Sequence, residues 1–336
     1  MTGLDVVLIA SGLALLLFGG ELLVRGAANA AERLGLSPLL IGLTLVGLGT
    51  SMPELMTSVQ ASLVGSPGIA VGNVVGSNIA NIFLILGVAI TITPIAVNRV
   101  ALVRGGGVVL VTALMFCGVA IFLTLDRVVG GIFLGGLIGY VIYCYRQEKA
   151  DIEAAGHTAA FEKHQAHEEL PGARKPEAAG AAAATGLAGA VPSLAIAVGG
   201  LVMVLLGAKV LVEGAISLAV HVGVSDALIG LTLVAIGTSL PELATTVIAA
   251  IRRHGDVALG SVIGSNIYNI LGIAGVTGLI APTTIPAEIA RFDVFVMLAA
   301  SVALIVFART GNRFGRGEGA IFLACYVAYI AAIAPM

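Results

Sequence analysis

Apolar residues run along this chain in long stretches separated by short polar turns. Ten stretches are long enough to span a bilayer, which takes about 20 residues. They cover roughly 4–26, 38–64, 68–95, 104–125, 127–145, 191–215, 226–251, 256–281, 290–308 and 317–335. None alternates with the period of two that marks a barrel strand. Because lipid offers backbone groups no partners, such stretches form helices. The pattern predicts an all-α membrane protein with ten transmembrane helices.

The second half of the chain repeats the first at a fixed offset of 188 positions, as between Glu54 and Glu242. GLTLVGLGTSMPELMTS, from Gly42, matches GLTLVAIGTSLPELATT at 12 of 17 positions, and GNVVGSNIANI likewise matches GSVIGSNIYNI. A fixed offset without a gap indicates a duplicated unit. We predict a five-helix repeat at 1–145 and a second at 189–336. The segment 146–188, charged and then rich in Ala and Gly, is predicted to be a flexible linker.

The distribution of positive charge predicts the orientation in the membrane. Of the 17 Lys and Arg residues, fourteen fall on the linker side, Arg127 and Arg291 fall on the other side, and Lys209 lies within a stretch. Cytoplasmic loops carry the excess of Lys and Arg, so we expect a cytoplasmic linker and both termini outside. Five helices is an odd number, so the second repeat must enter the membrane inverted. Inverted repeats are typical of secondary transporters, with the binding site near the midplane.

Composition agrees with a membrane location. Hydrophobic residues make up 58% of the chain and charged residues 11%, whereas a soluble domain carries about 25% charged residues. The cysteines Cys117, Cys144 and Cys325 lie in apolar stretches without the spacing of a disulfide framework or a zinc site. The net charge of −2 indicates no particular partner. We expect a lipid bilayer around the chain, no nucleic-acid partner, no obligatory protein partner and no organic cofactor.

Two glutamates, Glu54 and Glu242, lie well inside apolar stretches at equivalent places in the two repeats. A charged side chain at the bilayer centre costs at least about 2.5 kcal/mol, so it generally faces a cavity and has a function. The alternative is that each glutamate sits at a helix end and reaches water. The same polar neighbours around both glutamates favour a functional site.

A proline precedes each glutamate and predicts a break in helices 2 and 7. Pro53 and Pro241 lack an N–H group and clash with the carbonyl four residues earlier. The break should free backbone carbonyls in Gly47–Thr50 and Ala235–Thr238. Irregular backbone at membrane depth is tolerated where it lines a cavity, and there its oxygens can bind a cation. A kink at the proline is the alternative.

Helical spacing groups further oxygen atoms with the glutamates. Residues four apart share a helix face, which places Thr50 and Ser51 beside Glu54, and Ser77 beside Asn81. The second repeat supplies the matching set Thr238, Ser239, Glu242, Ser265 and Asn269. These hard oxygen donors suit Ca2+, which takes six to eight oxygen ligands, better than softer metals, which prefer imidazole or thiolate. Two carboxylates balance one Ca2+ or two Na+.

GTSMPE with GSNIANI, and GTSLPE with GSNIYNI, resemble the two alpha-repeats of the Ca2+/cation antiporter superfamily. They are most similar to its sodium/calcium exchanger branch in the prokaryotic type, and the resemblance covers nearly all of the chain outside the linker. It implies that Glu54 and Glu242 are the central Ca2+ ligands, shared with Na+, and that Asn81 and Asn269 complete the centre. It also implies that six hydroxyls supply Na+ or Ca2+ oxygens, those of Thr50, Ser51, Ser77, Thr238, Ser239 and Ser265.

We therefore hypothesise an antiporter, and not an enzyme, that exchanges Ca2+ for Na+ by alternating access. Some relatives have Asp where Asn269 stands, so the neutral residue here lowers the charge of the site and argues against potassium co-transport. Ca2+/H+ exchange on the same carboxylates is the alternative, although the proton-coupled branch typically lacks the Thr-Ser pair. An intramembrane hydrolase using Ser51 or Ser239 is disfavoured, because the five histidines lie in the linker or near span ends.

A last duplicated feature carries opposite charges four residues apart on helices 1 and 6. Glu21 and Arg25 form one pair, and Lys209 and Glu213 form the other with reversed polarity. In one interpretation, the paired side chains neutralise each other while they reach toward water. In the other, the pairs mark the gating ends of helices 1 and 6, which slide past the core.

Overall fold

The computed structural model describes residues 3–96, 99–122, 124–147, 187–221, 235–310 and 313–333. Almost all of these residues are helical, because in lipid each stretch must satisfy its backbone hydrogen bonds within itself. The all-α prediction is confirmed. The predicted linker at 146–188 and the beginning of the predicted span 226–251 lie largely outside the described residues.

Six helical elements form the first half of the chain. α2 consists of three consecutive turns, of which the middle one is π-helical: Pro38–Ile41, Gly42–Val46 and Gly47–Thr50. The other five are α1 (Gly3–Leu34), α3 (Met52–Leu63), α4 (Pro67–Ile92), α5 (Arg99–Phe122) and α6 (Arg127–Gln147). Within α4, the π-helical stretch Asn81–Leu86 separates two α-helical parts.

Six further elements follow in the second half. They are α7 (Leu187–His221), α8 (Ala235–Thr238), α9 (Leu240–Ile251), α10 (Gly255–Ile280), α11 (Ile289–Asp293 and Val294–Thr310) and α12 (Arg316–Ile333). α10 also contains a π-helical stretch, Tyr268–Ala274. The two-residue strands β1 (Ile95–Ala96) and β2 (Arg313–Phe314) pair antiparallel and join the end of α4 to the start of α12.

Eight of the described helices are long and apolar enough to cross a membrane: α1, α4, α5, α6, α7, α10, α11 and α12. This identifies an integral, multi-pass membrane protein. The two remaining predicted spans, 38–64 and 226–251, contain the shorter pieces α2 with α3 and α8 with α9. The count of ten spans stays a prediction.

α1 and α7 extend beyond the stretches 4–26 and 191–215 that apolarity predicts. They contain 32 and 35 residues, about 50 Å at 1.5 Å per residue, whereas the hydrocarbon core measures about 30 Å. Helical geometry therefore continues past the apolar part of each sequence.

Glycines allow α1 and α7 to pack closely. Each helix has one every seven residues: Gly12, Gly19 and Gly26 on α1, and Gly200, Gly207 and Gly214 on α7. A Cβ atom on Gly12 would lie 2.5 Å from the Leu211 nitrogen, and one on Gly207 would lie 2.7 Å from the Leu16 nitrogen. Small residues let helix backbones approach in membranes. The contacts run in opposite chain directions, so the two helices form an antiparallel pair.

α4 and α10 lie at the centre of the molecule. Their most apolar windows are 72% and 100% buried, compared with 17% for α6 and 11% for α12. Since α4 and α10 carry the GSN motifs, the predicted ligands on these helices lie in the protein interior and not against lipid.

Candidate cation-binding site

A single residue interrupts the helix in front of each glutamate. Ser51 separates α2 from α3 with φ −83° and ψ 9°, and Ser239 separates α8 from α9 with φ −92° and ψ 3°. Each proline then falls in the first turn of the new helix, where the missing N–H group needs no partner. Glu54 thereby occupies the first turn of α3, at the positive end of the helix dipole. Glu242 occupies the same position in α9.

The interruption is narrower than the sequence predicts. Gly47–Thr50 and Ala235–Thr238 are both helical turns, so the predicted break is present but its irregular backbone is confined to Ser51 and Ser239. The physical reason is that the new helix starts directly after the serine, while the turn before the serine stays helical although Pro53 offers no N–H to the Gly49 carbonyl. The Gly47 carbonyl accepts the Ser51 N–H at 3.2 Å. Gly47 remains buried beside the site.

Each glutamate is hydrogen-bonded to the serine of the opposite half. The Ser51 hydroxyl donates to Glu242 Oε1 at 3.0 Å, and the Ser239 hydroxyl donates to Glu54 Oε1 at 3.3 Å. Each serine stands three residues before the glutamate of its own half. The segment from Ser51 to Glu54 therefore faces the segment from Ser239 to Glu242. Glu54 and Glu242 are 1% and 3% exposed. The two repeats thus bring both carboxylates into one buried place, as the duplication predicts.

Three acceptor oxygens among the predicted ligands have no hydrogen-bond partner in the described part of the chain. They are Glu54 Oε2, Glu242 Oε2 and Asn269 Oδ1, and all are buried. A buried carboxylate oxygen without a donor is unfavourable unless a positive charge compensates it. No group of three or more His, Cys, Asp or Glu residues converges within the described ranges. Any cation held here would bind two carboxylates and neutral oxygens.

The GSN motifs of α4 and α10 contribute the other predicted ligands. Ser77, Asn81, Ser265 and Asn269 are all buried, with at most 5% exposure. The π-helical stretches begin at Asn81 and one residue before Asn269, and π-bulges occur frequently at functional sites. Ser265 Oγ donates to the Gly47 carbonyl at 3.3 Å, which joins α10 to α2.

The threonines differ in how much the structure describes. Thr50 is buried, and its hydroxyl donates to the Val46 carbonyl at 3.0 Å, so its lone pairs stay available as acceptors. Thr238 ends α8 and is half-buried. Ala235 begins α8, and only its backbone is described. Asn78 and Asn266 donate to carbonyls one turn earlier in their own helices, each at 2.7 Å, and do not bridge helices.

The predicted charge pairs on α1 and α7 both form. Arg25 pairs with Glu21, and Lys209 lies 3.8 Å from Glu213. The sequence did not indicate the second partner of Glu21, which is Arg252 directly after α9; its Nε lies 2.6 Å from Glu21 Oε2. These contacts lie at the periphery and add nothing to the buried oxygen set.

Sequence reasoning missed one polar residue beside the site, Asn73 on α4. Its Nδ2 atom donates to the Glu54 carbonyl and to Ser58 Oγ, each at 2.9 Å. The spacing contained the signal, because Asn73, Ser77 and Asn81 stand four residues apart and share one helix face. Asn73 therefore holds the backbone of the glutamate through its amide nitrogen.

Comparison with known proteins identifies the family. The sequence profile described as "Sodium/calcium exchanger protein" matches residues 4–146 and 192–334. The sodium/calcium exchanger MaX1 of Methanosarcina acetivorans is 36% identical, over 98% of each chain. The inner membrane protein YrbG of Escherichia coli is 32% identical, over 96% of this chain and 95% of its own length.

A solved structure agrees with this relationship. The sodium-calcium exchanger NCX_Mj, soaked with zero Na+ and Ca2+, superposes with a TM-score of 0.82 at 33% identity, over 99% of this chain and 100% of that one. The matching profile and relatives cover nearly the whole chain, including both halves of the buried oxygen set. This chain belongs to the sodium/calcium exchanger protein family.

Proposed function

We propose that this protein exchanges Ca2+ for Na+ across the membrane, by alternating access at the buried site between its two halves. The observation that carries the proposal is the set of three buried acceptor oxygens without donors, Glu54 Oε2, Glu242 Oε2 and Asn269 Oδ1. A bound cation would satisfy such a set, since no N–H or O–H group of the described residues donates to these three oxygens.

The ligand set we propose contains the two glutamates, Asn81 and Asn269 at the centre. The surrounding hydroxyls are those of Thr50, Ser51, Ser77, Thr238, Ser239 and Ser265, with the backbone carbonyls of Gly47 and Ala235 at the margins. Ca2+ accepts six to eight oxygens in flexible geometry, which this number of groups supports. The carboxylates carry two negative charges, so one Ca2+ or two Na+ neutralise them. A third Na+ would leave one positive charge and make exchange sensitive to voltage, by about 2.3 kcal/mol per 100 mV.

Charge neutralisation explains why exchange would be obligatory. A site that holds no cation would expose two unpaired carboxylates to an apolar passage, at a cost of several kcal/mol. The unloaded protein would therefore not change its access, and each Ca2+ that leaves on one side must be replaced by Na+ before the site returns. Competition of both ions for the same two glutamates couples the two flows.

We further propose ten transmembrane helices arranged as two inverted repeats, 1–145 and 189–336, with a cytoplasmic linker at 146–188 and both termini outside. The reciprocal Ser51–Glu242 and Ser239–Glu54 bonds support a twofold relation between the halves. The excess of Lys and Arg on the linker side supports the orientation.

The experiment that tests this function measures 45Ca2+ uptake by the purified protein in liposomes. We expect uptake when the vesicles contain Na+ and the outside does not, at equal pH on both sides. Uptake should collapse when the ionophore monensin dissipates the Na+ gradient at clamped pH. Uptake that follows an imposed pH gradient and ignores Na+ would show Ca2+/H+ exchange instead. Flux without any counter-ion would show a channel.

A further inference from the structure

Asn73 connects the two helices that carry the first-half ligands. It lies on α4, four residues before Ser77, while the carbonyl that it binds belongs to Glu54 on α3. A side-chain amide has two N–H donors, and here one serves the Glu54 carbonyl and the other Ser58 Oγ, one turn further along α3. Both donors of Asn73 are thus used to fix α3 against α4 at the position of the glutamate.

The second half lacks this connection. Ser261 stands at the position equivalent to Asn73, and Thr246 at the position equivalent to Ser58. Both hydroxyls are buried, and neither has a hydrogen-bond partner among the described residues. The Glu242 carbonyl instead accepts from Thr245 of its own helix, at 3.2 Å. A bond within one helix does not fix α9 relative to α10.

We propose that Asn73 is a positioning residue for cation binding, which holds Glu54 at a fixed distance from Ser77 and Asn81. Resting on the proposed Ca2+/Na+ exchange, this assigns different mechanical roles to the two halves of one site. The first half is preorganised, and the second half adjusts its spacing when ions of different charge and number replace one another. Preorganisation raises affinity because less ordering is left for the moment of binding.

A residue that serves only packing would behave differently. Loss of a packing contact lowers the stability of the folded protein and leaves the affinity for the ion unchanged. Loss of a positioning contact weakens the binding of Ca2+, with maximal transport rate preserved once the ion is bound. The Michaelis constant for Ca2+, compared with the maximal rate, separates the two roles.

The test uses Asn73→Ser, which installs the residue found in the second half, and Asn73→Leu, which keeps the side-chain size without donors. The matched control is Ser58→Ala, which removes one acceptor and leaves the bond to the Glu54 carbonyl. In the liposome assay we expect both Asn73 variants to raise the KM for Ca2+ about three- to tenfold at an unchanged maximal rate. This is the effect of losing one of the two hydrogen bonds of Asn73, the bond to the Glu54 carbonyl. Ser58→Ala should keep the wild-type KM.

Ca2+-dependent thermal stabilisation in detergent provides a second measurement that needs no counter-ion. We expect wild-type protein to be stabilised by Ca2+, and both Asn73 variants to need three to ten times more Ca2+ for the same shift. Wild-type KM in both variants would overturn the role of Asn73 and leave the exchange function standing. Loss of folded protein in both variants would also overturn it, since Asn73 would then be a structural residue. If wild-type protein itself shows neither stabilisation nor uptake, the proposed function fails first.

Discussion

The turns that end α3 and α9 have the same geometry, yet among the described residues a hydrogen bond to the next helix beside the glutamate is found for α3 and not for α9. In the first turn the Ser66 N–H donates to the Ala61 carbonyl, and in the second His254 donates to Ala249, both at 2.8 Å. The bridge from Asn73 to the Glu54 carbonyl has no equivalent at Ser261. The groups that face the carboxylates are kept in both copies, while the groups behind them have diverged.

This difference distinguishes residues that would bind the ion from residues that hold the backbone of those ligands. A cation ligand must present an oxygen atom to the ion, so under the proposed function the ion itself restricts substitution at Glu54 and Glu242. The supporting residue needs only to hold backbone, and several arrangements can do that, as Asn73 and Thr245 illustrate. Duplicated sequence therefore identifies the site, and departures from duplication identify the places where the halves can behave differently.

The largest expected effect comes from removing either charge. Glu54→Gln and Glu242→Gln should each lower Ca2+ uptake into Na+-loaded liposomes by roughly 100-fold, since leaving a buried charge unbalanced costs about 3 kcal/mol. Equal losses are expected because both carboxylates are buried and carry one hydrogen bond from the opposite serine. The exposed Glu32→Gln serves as the matched control and should transport normally. Near-normal uptake by either site variant would refute the shared site.

Close packing of α1 against α7 gives the next effect. A Cβ on Gly200 would lie 2.6 Å from the Gly19 carbonyl oxygen and still closer to the Leu23 nitrogen, whereas one on Gly199 would meet nothing within 4 Å. Gly200→Ala should therefore destabilise the protein by about 1–3 kcal/mol through overpacking, and Gly199→Ala should not. Thermal melting in detergent checks the pair. Equal melting temperatures would mean that the helices do not pack as closely as the glycine repeat indicates.

The sequence predicted the membrane-spanning helices and the paired carboxylates because those depend on apolarity, duplication and spacing. The helices α1 and α7 extend beyond the predicted stretches 4–26 and 191–215, since a helix continues past its apolar part, in α1 through Arg33 to Leu34. The break before Glu54 was predicted, but its irregular backbone was expected over Gly47–Thr50 and falls on one residue, because proline rules locate the lost bond and not the residue that takes up the new geometry. That residue is Ser51, and no local rule identifies it.

Sequence patterns could not predict the contacts between side chains on different helices. The line of Asn73, Ser77 and Asn81 was visible, but its first member binds a carbonyl on another helix, and only the packing of α3 against α4 establishes that contact. The pairing of Glu21 with Arg252 is similar, because 231 residues separate the two side chains. Spacing predicts which residues share a helix face, but it does not predict which helix packs against that face.

The serine bonds across the two halves give a smaller effect than the charges. Ser51→Ala removes a 3.0 Å bond to Glu242, and Ser239→Ala a 3.3 Å bond to Glu54. A hydrogen bond to a charged group contributes about 1.5 kcal/mol, so we expect the KM for Ca2+ to rise about tenfold in each variant. Ser51→Ala should have the larger effect, because its bond is shorter and Ser51 is fully buried. The control is Ser62→Ala, because the Ser62 hydroxyl donates to the Ala281 carbonyl and not to a glutamate. A rise in KM for this variant would show that loss of a serine hydroxyl affects KM independently of the proposed site.

The smallest expected effect concerns backbone strain in the turns that follow α3 and α9. Gly65 has φ 75°, and Arg253, its equivalent, has φ 61°. A side chain in this left-handed region costs about 1 kcal/mol, which glycine avoids. Arg253→Gly should therefore raise the melting temperature slightly or leave it unchanged, because the greater freedom of unfolded glycine offsets part of the gain. Gly65→Ala should lower the free energy of unfolding by about 1 kcal/mol, and the melting temperature with it, although its Cβ would meet nothing within 4 Å. Gly68→Ala, equally open but without a positive φ, controls for the added methyl group, and a loss there as large as at Gly65 would rule out backbone strain as the cause.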